Sequence, residues 1–162
     1  MSDSAKKVIK IKLLADCLQH VPVLAELWYE HISRHWVPNA SVEKAKQNLI
    51  RHANYQQLPM TFVALEDIQP LGMASLREND GIQPERAPWL GSLVVNPVSR
   101  NQKIGEQLIE VVKQRTCLLG YQKLYLLVFD QTIPTWYARL GWKSIGTDDL
   151  FGHPVVVMDI DL

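Results

Sequence analysis

The sequence is poor in cysteine, carries no net charge and contains no long apolar segment. Only Cys17 and Cys117 occur among its 162 residues, and 17 Lys+Arg residues balance 17 Asp+Glu residues. The longest strongly apolar run covers residues 124–129, far short of the roughly 18 residues that suggest a membrane-spanning helix. We therefore expect no membrane association and no disulfide, with both thiols reduced and Cys117 packed in the interior.

These absences also limit the cellular locations and the binding partners to be expected. A neutral chain has no global field to attract phosphate backbones, which argues against general nucleic-acid binding. Residues 8–12 alternate apolar and basic side chains, and no apolar core of a signal peptide precedes them. We expect a cytoplasmic protein with one domain over residues 1–162, because this length suits a single core. An oligomer is possible but not indicated.

Hydrophobic periodicity predicts strands and helices in mixed order. The strand-like segments are 7–14, 60–65, 71–76, 89–95, 123–129, 142–147 and 154–161. The helix-like segments are 16–32, 41–55, 104–119 and 133–140. Asp16 and Ser41 are the expected N-caps of the first two helices, and Pro22 is expected to kink the first. This order predicts a three-layer α/β or α+β domain around one sheet, in which strands 89–95 and 123–129 form a right-handed parallel crossover.

The first segment that could carry chemistry is the junction between strand 89–95 and the following helix. A helix start exposes unpaired backbone N–H groups, which suits a phosphate or pyrophosphate. Arg100 and Lys103 add positive charge there, and Gly105 permits close approach of a ligand. The alternative is an ordinary helix start with Ser99 and Gln102 as a capping box, which local features alone favour.

The second such segment is 130–142, where a short helix follows a buried-type strand. It brings Tyr137 and Trp136 next to each other. Taken alone, the two side chains are best interpreted as core aromatics, although a buried tyrosine still needs a partner for its hydroxyl.

The two segments together resemble the motifs of the GNAT superfamily of N-acetyltransferases. The first is similar to the acyl-CoA motif of that family, and the second to its late Tyr-Gly-Trp signature. The matching residues are Arg100, Ile104, Gly105, Tyr137, Gly141 and Trp142. The resemblance implies a mixed sheet of about six to seven strands flanked by about four helices. It also implies an acetyl-CoA-dependent enzyme, with direct attack of an amine on the thioester in a ternary complex.

The resemblance further implies roles for individual residues. Tyr137 matches the general acid, and the backbone of Leu93, Val94 and Val95 would align the pantetheine. A backbone N–H near Leu93 or Val94 would stabilise the oxyanion. The pyrophosphate would lie against a loop that comprises Arg100, Asn101, Gln102, Lys103, Ile104, Gly105 and Glu106. Lys103 stands where the family usually has its first glycine, so this position is either strained or used for a phosphate contact. Asp130 stands in place of an asparagine, and an ionised carboxylate cannot donate a hydrogen bond.

The general base does not follow from the resemblance. The position where many members carry a glutamate is Trp89 here, which cannot act as a base. Glu78 is our substitute, with Glu30 and Glu85 as rivals, and a water relay over backbone carbonyls would need no carboxylate.

Other features carry weaker hypotheses. His31 and His35 are four positions apart, but no third metal ligand is apparent, so we expect no metal and interpret them as a polar helix end. With Trp36 they could instead line the pocket of the amine acceptor, which the sequence leaves open between a small molecule and a protein amine. The alternative to an enzyme is a non-catalytic acyl-CoA-binding sensor or assembly module.

Overall fold

The computed structural model describes residues 8–162, and these residues share one seven-stranded sheet. The strands are β1 (Ile9–Leu13), β2 (Met60–Glu66), β3 (Gln69–Arg77), β4 (Trp89–Val95), β5 (Lys123–Val128), β6 (Lys143–Leu150) and β7 (His153–Asp161). The helices are α1 (Val21–Trp28), α2 (Val42–Arg51), α3 (Ile104–Leu118) and α4 (Pro134–Arg139). The expected strand and helix numbers are confirmed; the start of β1 expected at residue 7 lies outside the described residues.

The sheet is mixed, with the order β1-β2-β3-β4-β5-β7-β6. Strands β1 to β4 pair antiparallel, β4 and β5 pair parallel across α3, and β7 pairs antiparallel with both β5 and β6. The parallel crossover expected from the sequence is confirmed. Its pairing is confined to Trp89 and Tyr125, so β4 and β5 are not hydrogen-bonded beyond that point.

The sheet is covered on both faces. One apolar cluster joins Leu108 and Val112 of α3 to Phe62 of β2, and it extends to α4. A second cluster joins α1 and α2, through Leu24 and Leu49, to the other face of β2 and β3. Because successive strand residues point to opposite faces, β2 and β3 are buried on both sides. The three layers put α3 on one side of the sheet and α1 with α2 on the other.

The first helical region differs from the prediction. Asp16 belongs to a short 3-10 turn, Leu14–Asp16, and α1 begins only at Val21, so Asp16 is not its N-cap. Pro22 lies in the first turn of α1, where its missing N–H removes no helical bond, and it does not kink the helix. The helical chain continues through a π-helical turn, Tyr29–Ser33, to Trp36.

Two smaller expectations have opposite outcomes. Ser41 caps α2 as predicted, since its hydroxyl accepts a hydrogen bond from the Lys44 N–H at 3.1 Å; α2 ends at Arg51 rather than near residue 55. Both cysteines are free, but only Cys17 is buried, and the packing predicted for Cys117 is wrong. The buried stripe of α3 continues from Val112 to Thr116, so Cys117 falls beside it on the exposed face.

Within residues 8–162, no helix has the length and apolar character needed to cross a membrane.

Candidate active site

A β-bulge in β4 creates the first element of the site. Met73 pairs with Val94 and Ser75 pairs with Gly91, so two residues of β4, Ser92 and Leu93, stand opposite a single residue of β3. Ser92 has a positive φ of 51°. A bulge takes backbone groups out of the regular ladder. On its other side this part of β4 has no pairing with β5, which leaves the backbone around Leu93 and Val94 open to a ligand.

A cleft of about 940 Å³ opens at this point. This volume is at the upper end of the range typical of small-molecule sites. The walls come from the β4 bulge, the loop before α3, the end of β5, the start of α4, the region from α1 to α2, and the turn between β6 and β7. The cleft therefore joins both layers of helices through the gap between β4 and β5.

The loop before α3 carries two left-handed residues. Asn101 has φ 68° and Lys103 has φ 60°. Lys103 is the N-cap of α3 and offers no side-chain cap, so the first N–H groups of this 15-residue helix keep no side-chain acceptor. Ser99 instead lies in a preceding 3-10 turn, and the capping box expected from Ser99 and Gln102 is wrong.

Tyr137 reaches the cleft from α4. Its side chain is 8% exposed and is held by edge contacts with Trp136 and Trp142, at ring-centroid distances of 4.9 and 5.9 Å. The hydroxyl makes no hydrogen bond to any residue within 8–162. Burial raises the pKa of the Tyr137 hydroxyl well above its usual value of 10.0, so the group keeps its proton at neutral pH.

A polar group that the sequence did not reveal lies beside the bulge. Arg77, at the end of β3, forms an ion pair with Asp80 at 2.6 Å and donates a hydrogen bond to the Ser92 hydroxyl. Gly91 provides the space, since a Cβ there would lie 2.9 Å from the Arg77 guanidinium carbon. Arg77, Asp80 and Ser92 all line the cleft. The Arg77 guanidinium thus bridges the Asp80 carboxylate and Ser92 in the bulge.

His52, just after α2, is a second group that the sequence did not reveal. It lines the cleft, and burial together with the positive charges of Arg77 and Arg51 lowers the pKa of its imidazole from 6.5 to about 4. His52 is therefore neutral at neutral pH. No sequence signal pointed to it, because it lies next to Arg77 only through the packing of α2 on the sheet.

The family model of the "Acetyltransferase (GNAT) domain" matches residues 58–144, just over half of the chain. The chain belongs to the GNAT family of acetyltransferases. The matched range includes the bulged strand, the loop before α3 and α4. None of the curated proteins matches this GNAT sequence.

Solved structures share this GNAT fold at low sequence identity. An acetyltransferase from Streptococcus agalactiae has a TM-score of 0.73 at 16% identity, with 98% of this chain and 100% of that chain covered. The PaiA N-acetyltransferase from Thermoplasma acidophilum in complex with coenzyme A has a TM-score of 0.72 at 18% identity, covering 96% and 99%.

A third structure is considerably longer. N-acetylglutamate synthase from Neisseria gonorrhoeae, complexed with coenzyme A and N-acetyl-glutamate, has a TM-score of 0.68 at 16% identity. The match covers 98% of this chain and 36% of that chain, so the GNAT chain spans about a third of the synthase.

The cleft of this GNAT domain brings together most of the residues singled out in the sequence. Those that line it are Leu93, Val94, Val95, Arg100, Asn101, Lys103, Ile104, Gly105, Glu106, Asp130 and Tyr137. Gln102 is exposed and does not line it. The side chain and backbone of Thr132 donate to Asp130 and lower the pKa of its carboxyl, so Asp130 is an ionised acceptor, as its residue type suggested.

The carboxylates suggested as bases lie elsewhere. Glu78, Glu30 and Glu85 are exposed and do not line the cleft, and Glu30 forms an ion pair with Arg34 at 3.3 Å. Trp89 is fully buried and donates to the Arg86 carbonyl, so its packing role leaves no acid-base function at that position.

The two histidines that follow α1 differ in their position relative to the cleft. His31 lines the cleft together with Trp36, whereas His35 is exposed and outside it. No group of three His, Cys, Asp or Glu side chains within residues 8–162 is arranged to hold a metal ion.

Proposed function

We propose that the protein transfers an acetyl group from acetyl-CoA to a primary amine, in a ternary complex held by a single domain. The observation that carries this proposal is the β4 bulge at the gap between β4 and β5, with the protonated Tyr137 lining the same cleft. The family membership supports acetyl transfer. The coenzyme A complexes of PaiA and of N-acetylglutamate synthase support the cosubstrate.

The loop before α3 would bind the pyrophosphate of acetyl-CoA. Arg100 and Lys103 supply positive charge there, and the open N–H groups of the first turn of α3 supply donors. The exposed backbone edge at Leu93, Val94 and Val95 would pair with the amides of the pantetheine, in place of the strand pairing that β5 does not provide.

The reaction forms one bond and breaks another. The amine nitrogen attacks the thioester carbon, and backbone N–H groups near the bulge stabilise the resulting oxyanion. The carbon–sulfur bond then breaks, and the Tyr137 hydroxyl gives its proton to the leaving thiolate. The nitrogen of the new amide loses its extra proton to solvent, and a solvent proton restores the Tyr137 hydroxyl. The raised pKa of Tyr137 means that its hydroxyl carries a proton at neutral pH and has one to give when the thiolate forms.

The amine must also lose a proton, since an alkylammonium with a pKa near 10.4 is mostly charged at neutral pH. We assign this step to Asp80, acting through cleft water, in place of Glu78. Asp80 lines the cleft and is one guanidinium away from the bulge, whereas Glu78 is exposed outside it.

The test is release of free CoA from acetyl-CoA in the presence of a panel of primary amines. We expect turnover by the native protein and a loss of about 10²- to 10⁴-fold in kcat for Tyr137→Phe, with an unchanged Kd for CoA. Tyr121→Phe, outside the cleft, is the matched control. Binding of acetyl-CoA without turnover of any amine would contradict the enzyme and favour the non-catalytic module.

A further inference from the structure

Three aromatic rings form one side of the cleft. Trp36 follows α1, Phe129 follows β5, and Phe151 lies in the turn between β6 and β7; all three line the cleft. The rings of Trp36 and Phe129 are stacked at 5.4 Å with 12° between their planes, and those of Phe129 and Phe151 at 6.5 Å with 11°. We name these three residues the aromatic wall.

The aromatic wall lies at the edge of the core, because Phe129 packs against the buried cluster around Trp89. Phe151 is 51% exposed, and Trp36 and Phe129 are only partly buried. None of the three belongs to the buried members of the apolar clusters. His153 adds an edge contact to Trp36 and Phe129, at 5.2 and 6.1 Å, and so fixes the orientation of both rings. Because Phe129 is stacked on both Trp36 and Phe151, the faces between these rings are already occupied. The surface left for a planar apolar ligand is that of the exposed Phe151 ring.

The position of the wall relates it to the acceptor rather than to acetyl-CoA. The loop proposed to bind the pyrophosphate leads into α3, which covers one face of the sheet. Trp36 ends the helical segment that starts with α1, on the opposite face. The cleft passes between these faces at the gap between β4 and β5. A ligand on the wall would therefore approach the thioester from the side opposite to the phosphates.

The polar groups near the gap complement an amine. Asp80 lines the cleft, and one of its oxygens pairs with Arg77. Because Arg77 offsets the charge of Asp80, the second carboxylate oxygen would serve the amine as a hydrogen-bond acceptor rather than as a net negative charge. A ligand with a flat apolar body and a terminal amine would satisfy both the wall and this carboxylate.

We propose, on the basis of the proposed acetyl transfer, that the acceptor is an arylalkylamine, a primary amine joined to a planar aromatic ring by a short alkyl chain. The ring stacks on the aromatic wall, and the amine points toward the bulge of β4. Phe151 is the specificity-determining residue, because it is the most accessible of the three rings and lies in a surface turn.

The experiment compares acetylation of phenethylamine, tryptamine, 2-cyclohexylethylamine and propylamine. The cyclohexyl compound keeps the chain length and the charge of phenethylamine and removes only the flat ring. We expect kcat/KM to be about two- to tenfold higher for phenethylamine than for its cyclohexyl analogue, the range that an aromatic stacking preference supplies. Equal values for the two amines would overturn the proposal.

Variants test the wall directly. We expect Phe151→Ala to raise the KM for phenethylamine about tenfold and to leave the Kd for acetyl-CoA unchanged, while Phe151→Leu retains bulk but loses the preference for a flat ring. Ile68→Ala is the control at another exposed apolar position, in the turn between β2 and β3. A weaker Kd for acetyl-CoA with an unchanged amine KM would mean that the wall holds the cosubstrate, which would also overturn the proposal.

Calorimetric binding of phenethylamine to the CoA-saturated protein separates the two proposals. Binding that depends on Phe151, without acetylation of any amine, would support the aromatic acceptor site and contradict the proposed acetyl transfer. Efficient acetylation of propylamine with no preference for the aromatic amines would support the proposed acetyl transfer and contradict the aromatic acceptor site. Absence of phenethylamine binding would contradict the aromatic site in either case.

Discussion

Gly105, in the first turn of α3, lies directly against Trp136 of α4. A Cβ at Gly105 would stand 3.3 Å from Trp136 Cη2 and 3.8 Å from Cγ2 of Val95. Trp136 in turn packs its edge against Tyr137, at 4.9 Å between ring centroids. Because Gly105 has no side chain, the proposed pyrophosphate loop packs directly against Trp136 and, through it, against the proposed acid Tyr137.

This packing predicts the effect of Gly105→Val. The branched side chain must displace Trp136, which we expect to cost about 1–3 kcal/mol of stability. The shift would also move Tyr137 and lower kcat. The double variant Gly105→Val, Trp136→Leu should recover part of the stability, because the smaller leucine makes room. Urea denaturation and kcat are measured for the native protein, the two single variants and the double variant. Purely additive changes in the free energy of unfolding would contradict direct contact between the two side chains.

Lys103 predicts opposite effects on stability and on binding. Its left-handed conformation costs an ordinary residue about 1–2 kcal/mol, which glycine avoids. We expect Lys103→Gly to raise the melting temperature and Lys103→Ala not to raise it. Both variants should weaken CoA binding at low salt if the ammonium group contacts phosphate. Thermal denaturation and calorimetry at two salt concentrations provide the measurement, and unchanged CoA affinity in both variants would exclude the phosphate contact.

Acid sensitivity of the fold is expected from His52. Its pKa falls from 6.5 in the unfolded chain to about 4 in the folded one. Between these values the unfolded chain binds the proton and the folded chain does not, so the free energy of unfolding falls as the pH drops from 6.5 to 4. The full loss is roughly 3 kcal/mol.

Chemical denaturation at several pH values, on the native protein and on His52→Gln, tests this expectation. The variant should show a flatter dependence of the unfolding free energy over that range. His35→Gln, which changes an exposed histidine, should retain the native slope. The same slope in His52→Gln and the native protein would contradict a depressed pKa at His52.

Asp80 and Glu78 make a matched pair for the proton-removal step. We expect Asp80→Asn to lower kcat/KM by about 10²-fold or more, within the range typical of general acid–base groups. Glu78→Gln should have little effect, because Glu78 is exposed and outside the cleft. Steady-state kinetics over pH 6–9 with one amine compares the two. A large loss in Glu78→Gln alone would return the role to the carboxylate first suggested by the sequence.

The sequence predicted the local parts of this site better than its long-range parts. Hydrophobic periodicity, with the Pro and Gly residues that end each element, predicts β4, α3 and the short helix carrying Tyr137 to within a few residues. Lys103 occupies a position that usually has glycine in the family, and it has the left-handed backbone that explains that preference.

The failures have physical reasons. Asp16 has the right residue type for an N-cap, but Leu14 is fully buried and the chain turns twice before α1 begins. Asp80 and His52 reach the cleft through the ends of β3 and α2, and no local pattern reports which strand ends meet. The aromatic wall likewise joins residues from three distant segments, so only the folded chain brings it together.

Calorimetric titration of the protein with acetyl-CoA and with free CoA tests the central claim most directly. Arg100→Ala serves as the site variant, and Arg139→Ala, an exposed arginine outside the cleft, serves as the charge-matched control. We expect micromolar binding of both ligands, clearly weakened in Arg100→Ala and unchanged in Arg139→Ala. No detectable binding of either ligand to the native protein would contradict the account.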